Sequence, residues 1–467
     1  MGASSTKPSW WTTLRDALSG KEQDCTKGNL SRAVFVLAIP MVLETSMESL
    51  FSICDIFWVS KLSSEAVAAV GLTESVLTLY YAIAVGLSIA VTAMVARRVG
   101  EKRDEDASQA GAQAIYLGLI VGVVSGVVLA LFAPNILGLM GAAPEVVQEG
   151  STYTRIILSS NVVILLLFLN NAIFRGAGDP ALAMRALWLG NGINLVLDPC
   201  LIFGFGPIPA MGLTGAAIAS VIGRSVAVFY QFYHLRRGTG RVRLAGESVR
   251  WVPALAMRLL RVSAGGIGQM AIATTSWVIL MRLMSQFGSN VLAGYTIAIR
   301  IIVFTILPSW GLANAAATLV GQHLGAKMPD RAARAVIITG VYNMAFLLVV
   351  MAVFLLFGER LIRIFTNDPE EIAVGVQCLR VFSYGYVFYG WGMVMTQAFN
   401  GSGDTGTPTL LNLIAFWIVQ LPLAWWLAFT WDLGPSGVFW AVIVADTVLT
   451  LLAFVMFRRG RWKGSVV

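Results

Sequence analysis

Histidine is almost absent from this chain: His234 and His323 are the two in 467 residues. The four cysteines, Cys25, Cys54, Cys200 and Cys378, show no CxxC or other ligand spacing. A zinc site, a histidine-based catalytic constellation and a disulfide framework therefore lack their raw material, and the cysteines read as apolar fillers. Charge is scarce too. Lys, Arg, Asp and Glu make up 12% of the residues, where a soluble globular chain carries roughly a quarter. A water-soluble fold of this composition could not cover its own surface. What is abundant is apolar: 57% hydrophobic residues and a mean hydropathy of +0.75. The apolar runs are about 20 residues long without period-two alternation, which excludes barrel strands and predicts membrane helices that satisfy their own backbone hydrogen bonds.

Spans are expected near 33–60, 66–95, 109–133, 152–174, 183–204, 212–235, 255–287, 291–321, 332–357, 375–399, 408–431 and 436–457. Most of the 33 Lys and Arg lie in the termini and the even-numbered connections, among them Arg97, Arg98, Lys102, Arg103, Arg236, Arg237, Arg241, Arg243 and Arg250. The odd connections and adjoining helix ends hold Lys61, Arg155, Arg360, Arg363 and Arg380; Arg224, Arg282 and Arg300 lie within spans. The positive-inside rule then places both termini in the cytoplasm of a multi-pass inner (plasma) membrane protein. It also explains the net charge of +8 without a nucleic-acid partner; the expected surroundings are the lipid bilayer. The first 32 residues are too long and mixed for a cleavable signal peptide. Trp10, Trp11, Leu14 and Leu18 stand at roughly helical spacing, as a short membrane-surface helix or a loose tail would have them.

The chain repeats itself. A shift of 225 residues lays Gly86-Leu87 on Gly311-Leu312, Gly100 on Gly325, Lys102 on Lys327, Pro144-Glu145 on Pro369-Glu370 and Arg155 on Arg380. The same shift lays Phe174-Arg-Gly-Ala-Gly-Asp179 on Phe399-Asn-Gly-Ser-Gly-Asp404. One offset held through loops as well as spans is hard to obtain from hydrophobicity alone. Six spans separate equivalent helices, so both halves cross in the same sense, a plan of secondary transporters with a site between the halves. The expected organisation is a cytoplasmic segment 1–32, an N-lobe 33–235, a basic linker 236–254, a C-lobe 255–457 and a cytoplasmic tail 458–467. The two GxGD segments, with no strand before them, read as turn and cap chemistry rather than phosphate cradles.

Ionisable residues inside spans are functional candidates by default. Span 1 holds Glu44, Glu48 and Asp55; at ~100° per residue the latter two fall about 40° and 20° from Glu44, on one stripe. Span 5 carries Asn191, Asn194 and Asp198 on one face, and Glu74 lies in span 2. The second half has Leu280 and Leu423 opposite Asp55 and Asp198 and one clear mid-span acid, Asp446. Asp55, Asn194 and Asp198 are the candidate site for one proton or cation, since two close carboxylates cannot both ionise cheaply in a low dielectric. No Lys or Arg lies within span 1 or span 5 away from their ends to pair with these acids. Pro40 removes a backbone donor from span 1 and is the candidate hinge. Arg224 and Asp446, equivalent positions of spans 6 and 12, would pair only if those helices meet. Phe51, Tyr80, Tyr81, Met270 and Trp277 are candidate cavity-lining side chains.

These features together resemble the multidrug and toxic compound extrusion (MATE) family. The resemblance runs from about residue 33 to 457 and rests on Pro40 fifteen residues before Asp55 in CDIFWVSKLSSEAVAAVGL, then VARRVGEKRDEDA, FRGAGDP, NLVLDPCLIFGFG and GLTGAAIAS, with the echoes GQHLGAK and FNGSGDTGTP. It implies an all-α integral membrane fold of twelve transmembrane helices in two pseudo-symmetric parallel six-helix lobes around a central cavity. It further implies export of small organic, cationic or amphipathic compounds, driven by H+ or Na+ and without a cofactor. Similarity to the DinF-like branch implies an N-lobe cation site of Asp55, Asn194 and Asp198, with Ser220 where a threonine is common. The acids of the NorM-like branch in helices 7 and 10 match Ile272 and Tyr389 here, so an acidic C-lobe site is not expected. Glu44 and Glu48 exceed the family pattern; with Glu74 and Phe51 they are candidate extra acids or substrate contacts. The expectation is a monomeric secondary transporter. The alternatives are a flippase of lipid-linked sugars, which needs a cationic cavity, and an intramembrane enzyme, which needs catalytic groups the chain lacks.

Overall fold

The computed structural model describes residues 10–20, 25–238 and 240–465, and the β structure among them is one isolated bridge, Phe205 with Ile208. The first half comprises α1 (Trp10–Ser19), α2 (Leu30–Val59), α3 (Ser64–Gly100), α4 (Asp104–Leu131), the short α5 (Ala133–Leu139), α6 (Pro144–Ser159), α7 (Asn161–Ala177), α8 (Pro180–Ile202) and α9 (Gly212–Arg237). The second comprises α10 (Pro253–Met284), α11 (Ser289–Gly325), α12 (Pro329–Arg363), α13 (Pro369–Ser402), α14 (Gly406–Thr430, with two π-helical stretches) and α15 (Pro435–Arg459). Nine of the described helices are individually long and apolar enough to cross a bilayer, and α6 with α7 makes a tenth. Polar residues lower the hydropathy of α8 and α13. At 23 and 34 residues both still exceed the ~20 needed to span.

Helix ends follow sequence chemistry. Asn29 and Ser63 cap α2 and α3 by accepting from Ser31 N and Ala66 N. Asp104, Glu105 and Asp106 open α4, and Arg97 and Arg98 close α3, each sign matching the helix dipole. Gly178 and Gly403 end α7 and α13 in the left-handed region, and Asp179 and Asp404 accept from Leu182 N and Thr407 N. The GxGD segments are thus turns and caps. The fourth span differs from the single run expected at 152–174: it starts earlier and bends by 41° between α6 and α7. There the Ser159 and Ser160 hydroxyls donate to the carbonyls of Ile156 and Ile157, and the Tyr80 hydroxyl takes the Asn161 carbonyl. Such side-chain competition for the helical ladder bends helices.

Each half has its own apolar core: one runs from Val59 to Leu235 with Val242 of the linker and Ala256 and Leu259 of α10 packed into it, and the second half has clusters from Leu280 to Val442 and from Ala313 to Trp462. A separate cluster joins them: Cys25, Val34, Leu37, Ala38 and Met41 pack on Ala315, Leu319 and Ala335. The helix α1 forms and docks beside it, through an Arg32–Asp16 ion pair of 2.5 Å and an Arg185 Nη2 to Leu18 carbonyl bond of 2.6 Å.

The glycines that align in the repeat mark where the lobes touch. A Cβ on Gly86 would lie 2.5 Å from Ile267 N, and one on Gly311 would lie 2.6 Å from Met41 O. A Cβ on Gly100 would overlap the Gln322 carbonyl, and one on Gly325 the Arg97 carbonyl. The 225-residue shift carries Gly100 onto Gly325 and Arg97 onto Gln322. The contacts are therefore reciprocal, as a two-fold between lobes requires. Lys102 and Lys327 follow at φ of 60° and 58°, the same tight exit from α3 and α11. These contacts run from mid-helix to the face that carries both described ends of the chain, the termini face. Direct hydrogen bonds from one half to the other, Thr318 Oγ1 to Arg175 O, Gln322 Nε2 to Gly176 O and Arg331 Nη2 to Gly28 O, lie near that face. On the opposite face Ser63 donates to Glu149 and Asn290 to Glu370, each within one lobe. The lobes are joined at the termini face and unbridged by these bonds at the other.

Candidate ion-binding site

The site begins with a close crossing of α8 and α9. A Cβ on Gly190 would come within 2.7 Å of Gly223 O, and one on Gly223 within 2.5 Å of Gly190 O. Backbone contact there brings the residues one turn away, Asn194 and Ser220, together: Asn194 Nδ2 donates to Ser220 Oγ at 3.1 Å. One turn further along α8 stands Asp198, fully buried. Asp55 on α2 lies within charge reach of it.

The oxygens around this point are short of donors, with the Asn194 side chain standing beside Asp198. Both Oδ atoms of Asp198, Oδ1 of Asn194 and Oδ1 of Asp55 are buried without a hydrogen-bond partner. An unsatisfied buried acceptor costs about 1–3 kcal/mol, and more when charged. Two carboxylates, an amide oxygen and a hydroxyl are the kind of oxygen set that a proton or a small hard cation takes. No group of three or more His, Cys, Asp or Glu disposed to hold a metal occurs among the described residues. The fit for a cation is to this mixed oxygen set.

The other candidates separate. Glu48 and Glu74 are exposed and stand in the field of Arg224, which also lies beside Asp55 and the Tyr81 hydroxyl. Glu74 is in addition within charge reach of Arg300 of the other lobe. Phe51 is half-buried, one turn before Asp55. Pro40 lies inside α2, one turn before Glu44. Arg224 belongs with these first-half acids, and the ion pairs among the described residues do not join it to Asp446, which lies near Tyr386 and Tyr389. Tyr80 is buried in the first-half core, Tyr81 packs on Phe168, and Trp277 packs on Tyr295. Tyr80 is thus a core residue, while Tyr81 and Trp277 are partly buried and the Tyr81 hydroxyl reaches Arg224.

Glu44 requires a correction. It shares the α2 stripe with Asp55, yet it is not one of a set of acids without arginine partners. Its Oε1 accepts from Asn171 Nδ2 at 3.0 Å and lies 3.6 Å from Arg175 Nη1, while Gln231 Nε2 donates to Asn171 Oδ1 at 2.6 Å. Arg175 comes from the last turn of α7, outside the span first expected. The second lobe holds the same place with neutral amides. Gln269 and Asn400, 225 residues beyond Glu44 and Arg175, exchange hydrogen bonds of 3.0 and 3.2 Å. Leu280 and Leu423, aligned with Asp55 and Asp198, belong to or pack on the apolar core of that lobe. The lobes share a frame and differ in charge.

Comparison with known proteins adds to this geometry. A family model described as MatE matches the chain twice, over residues 40–200 and 267–426. A probable multidrug resistance protein NorM from Thermotoga maritima is 25% identical over 446 residues, 94% of each chain. A solved structure described as MATE in the bent conformation aligns with a TM-score of 0.87 at 26% identity, over 94% of this chain and 98% of its own. Another, described as the outward-facing conformation of a multidrug resistance MATE family transporter, gives 0.88 at 26% identity, over 96% and 99%.

Proposed function

The chain belongs to the MatE family, a transporter and not an enzyme, and from that premise we propose that it is a proton-coupled antiporter exporting small organic cations by alternating access. The observation that carries the coupling site is the set of buried, donor-poor oxygens of Asp55, Asn194 and Asp198 around Ser220. Two carboxylates in one low-dielectric site suit a titrating pair, which favours H+ over Na+. The acids Glu48, Glu74, Asp55 and Asp198 outnumber Arg224 on this wall. The negative balance favours cationic substrates and disfavours the pyrophosphate of a lipid-linked sugar.

On this reading the termini face is cytoplasmic and the membrane is the plasma membrane. The structure is then outward-open, with the coupling ion entering from outside. Pro40 supplies the bend through which occupancy at Asp55 moves α2. The test is efflux of a fluorescent organic cation from proteoliposomes with proton and sodium gradients imposed separately. Efflux is expected to follow the proton gradient alone. Efflux driven by sodium alone would replace the ion, and no efflux under either gradient would overturn the antiporter.

A further inference from the structure

Glu44, like Asp446, is an acid that this function leaves without a role, and its surroundings are unusual. The residue is 4% exposed; Oε1 is held by Asn171 and Arg175, and Oε2 is buried with no hydrogen-bond partner. A carboxylate used only as a brace would have both oxygens satisfied, because each buried unpaired acceptor costs stability. The second lobe shows what a brace looks like at this place: the uncharged Gln269–Asn400 amide pair, bonded to each other and onward to the Thr405 carbonyl and Gln397 Oε1.

Arg175 ties Glu44 to the contact between lobes. Its carbonyl accepts from Thr318 Oγ1 at 3.1 Å, and the next carbonyl, of Gly176, accepts from Gln322 Nε2 at 3.0 Å. The end of α7 that Glu44 holds by its charge is thus an end that the opposite lobe grips. We propose that Glu44 is a second proton-binding site, and that neutralising it releases Arg175 and loosens the closure between α7 and α11 at the termini face.

The arginine beside it excludes a metal cation and leaves the proton as the ion. The charged groups facing Glu44 are Arg175 from α7 and Glu48 one turn along its own helix; Asn171 and Gln231 complete the shell as amides. The direction suits the antiport cycle, on which this inference rests. A proton entering from the open side weakens the closed side, and the lobes swing toward the inward-open state.

Cys25 reports on that closure, being buried in the cluster where α2 meets α11 and α12. The experiment measures maleimide labelling of Cys25, normalised to unfolded protein at each pH, with the other three cysteines changed to serine. It is done in an Asp55→Asn/Asp198→Asn background, so that the main site does not titrate. Lowering the pH by about two units is expected to speed labelling roughly tenfold, a shift of about 1.4 kcal/mol in closure. Glu44→Gln/Arg175→Asn, which copies the Gln269–Asn400 pair, is expected to make labelling independent of pH. If that pair does not fold, Glu44→Gln alone is read, since a glutamine can keep the bond to Asn171. Labelling that is flat in the background protein, or that keeps its full pH dependence in the Glu44 variants, would overturn the proposal. The readout needs no transport, so failure of the antiporter reading would appear separately, in the efflux assay.

Discussion

Alanine at Gly100 or Gly325 is expected to stop transport while leaving the protein folded and open at the termini face. The added Cβ would overlap a backbone carbonyl of the other lobe, Gln322 in one case and Arg97 in the other. A carbonyl inside a helix cannot rotate away as a side chain can. Overpacking of this kind costs about 1–3 kcal/mol, and the cost falls only on the state in which the lobes meet. The ratio of closed to open at that face should drop by roughly 5–150-fold. Each lobe keeps its own core, so thermal stability should change little. Labelling of Cys25 measures the shift directly: fast labelling in both variants is expected, and labelling as slow as in the unmodified chain would show that the crossings do not set the equilibrium. The two variants should behave alike because their contacts are reciprocal.

Asp198→Asn is expected to reduce gradient-driven efflux by about 100-fold or more and, at the same time, to raise the melting temperature. The first effect follows if the carboxylate carries the coupling ion. The second follows from burial: both Oδ atoms lack donors, and a neutral amide removes the need to bury a charge or keep a proton there. Asp55→Asn should lose transport similarly and gain less stability, since Asp55 is only partly buried. A residue with a purely structural role would show the opposite, lower stability with transport reduced in proportion to the folded fraction. Melting curves and efflux measured on the same preparations separate the two.

Much of this architecture was legible in the residues, because a bilayer leaves few options. Apolar runs gave the spans, and a single offset gave the duplication that the family match over 40–200 and 267–426 repeats. The offset also picked out Gly86, Gly100, Gly311 and Gly325. It could not show that these glycines touch across the lobes, because an internal alignment pairs equivalents and not partners. Helix periodicity put Glu44 on the face of Asp55 and could not show that an arginine stands beside it. Eleven residues at 1.5 Å rise separate them by about 16 Å along α2, room for two sites with different neighbours. Arg175 was missed because it ends a helix just beyond an apolar run, where an arginine reads as a membrane-edge charge. A signal was present: at the 225-residue shift Glu44 becomes Gln269 and Arg175 becomes Asn400, two charges lost together as contacting partners lose them. The bend between α6 and α7 depends on serines whose effect comes from local hydrogen bonding, which hydropathy does not register.

The central claim, that the coupling ion binds between Asp55 and Asp198 and leaves when substrate binds, is tested most directly by proton release. Purified protein in weakly buffered detergent is mixed with a transported organic cation and the pH is followed. Release of protons that is unaffected by sodium and lost in Asp55→Asn/Asp198→Asn is the predicted result. Release undiminished in that double variant would contradict the account and move the coupling site elsewhere in the chain.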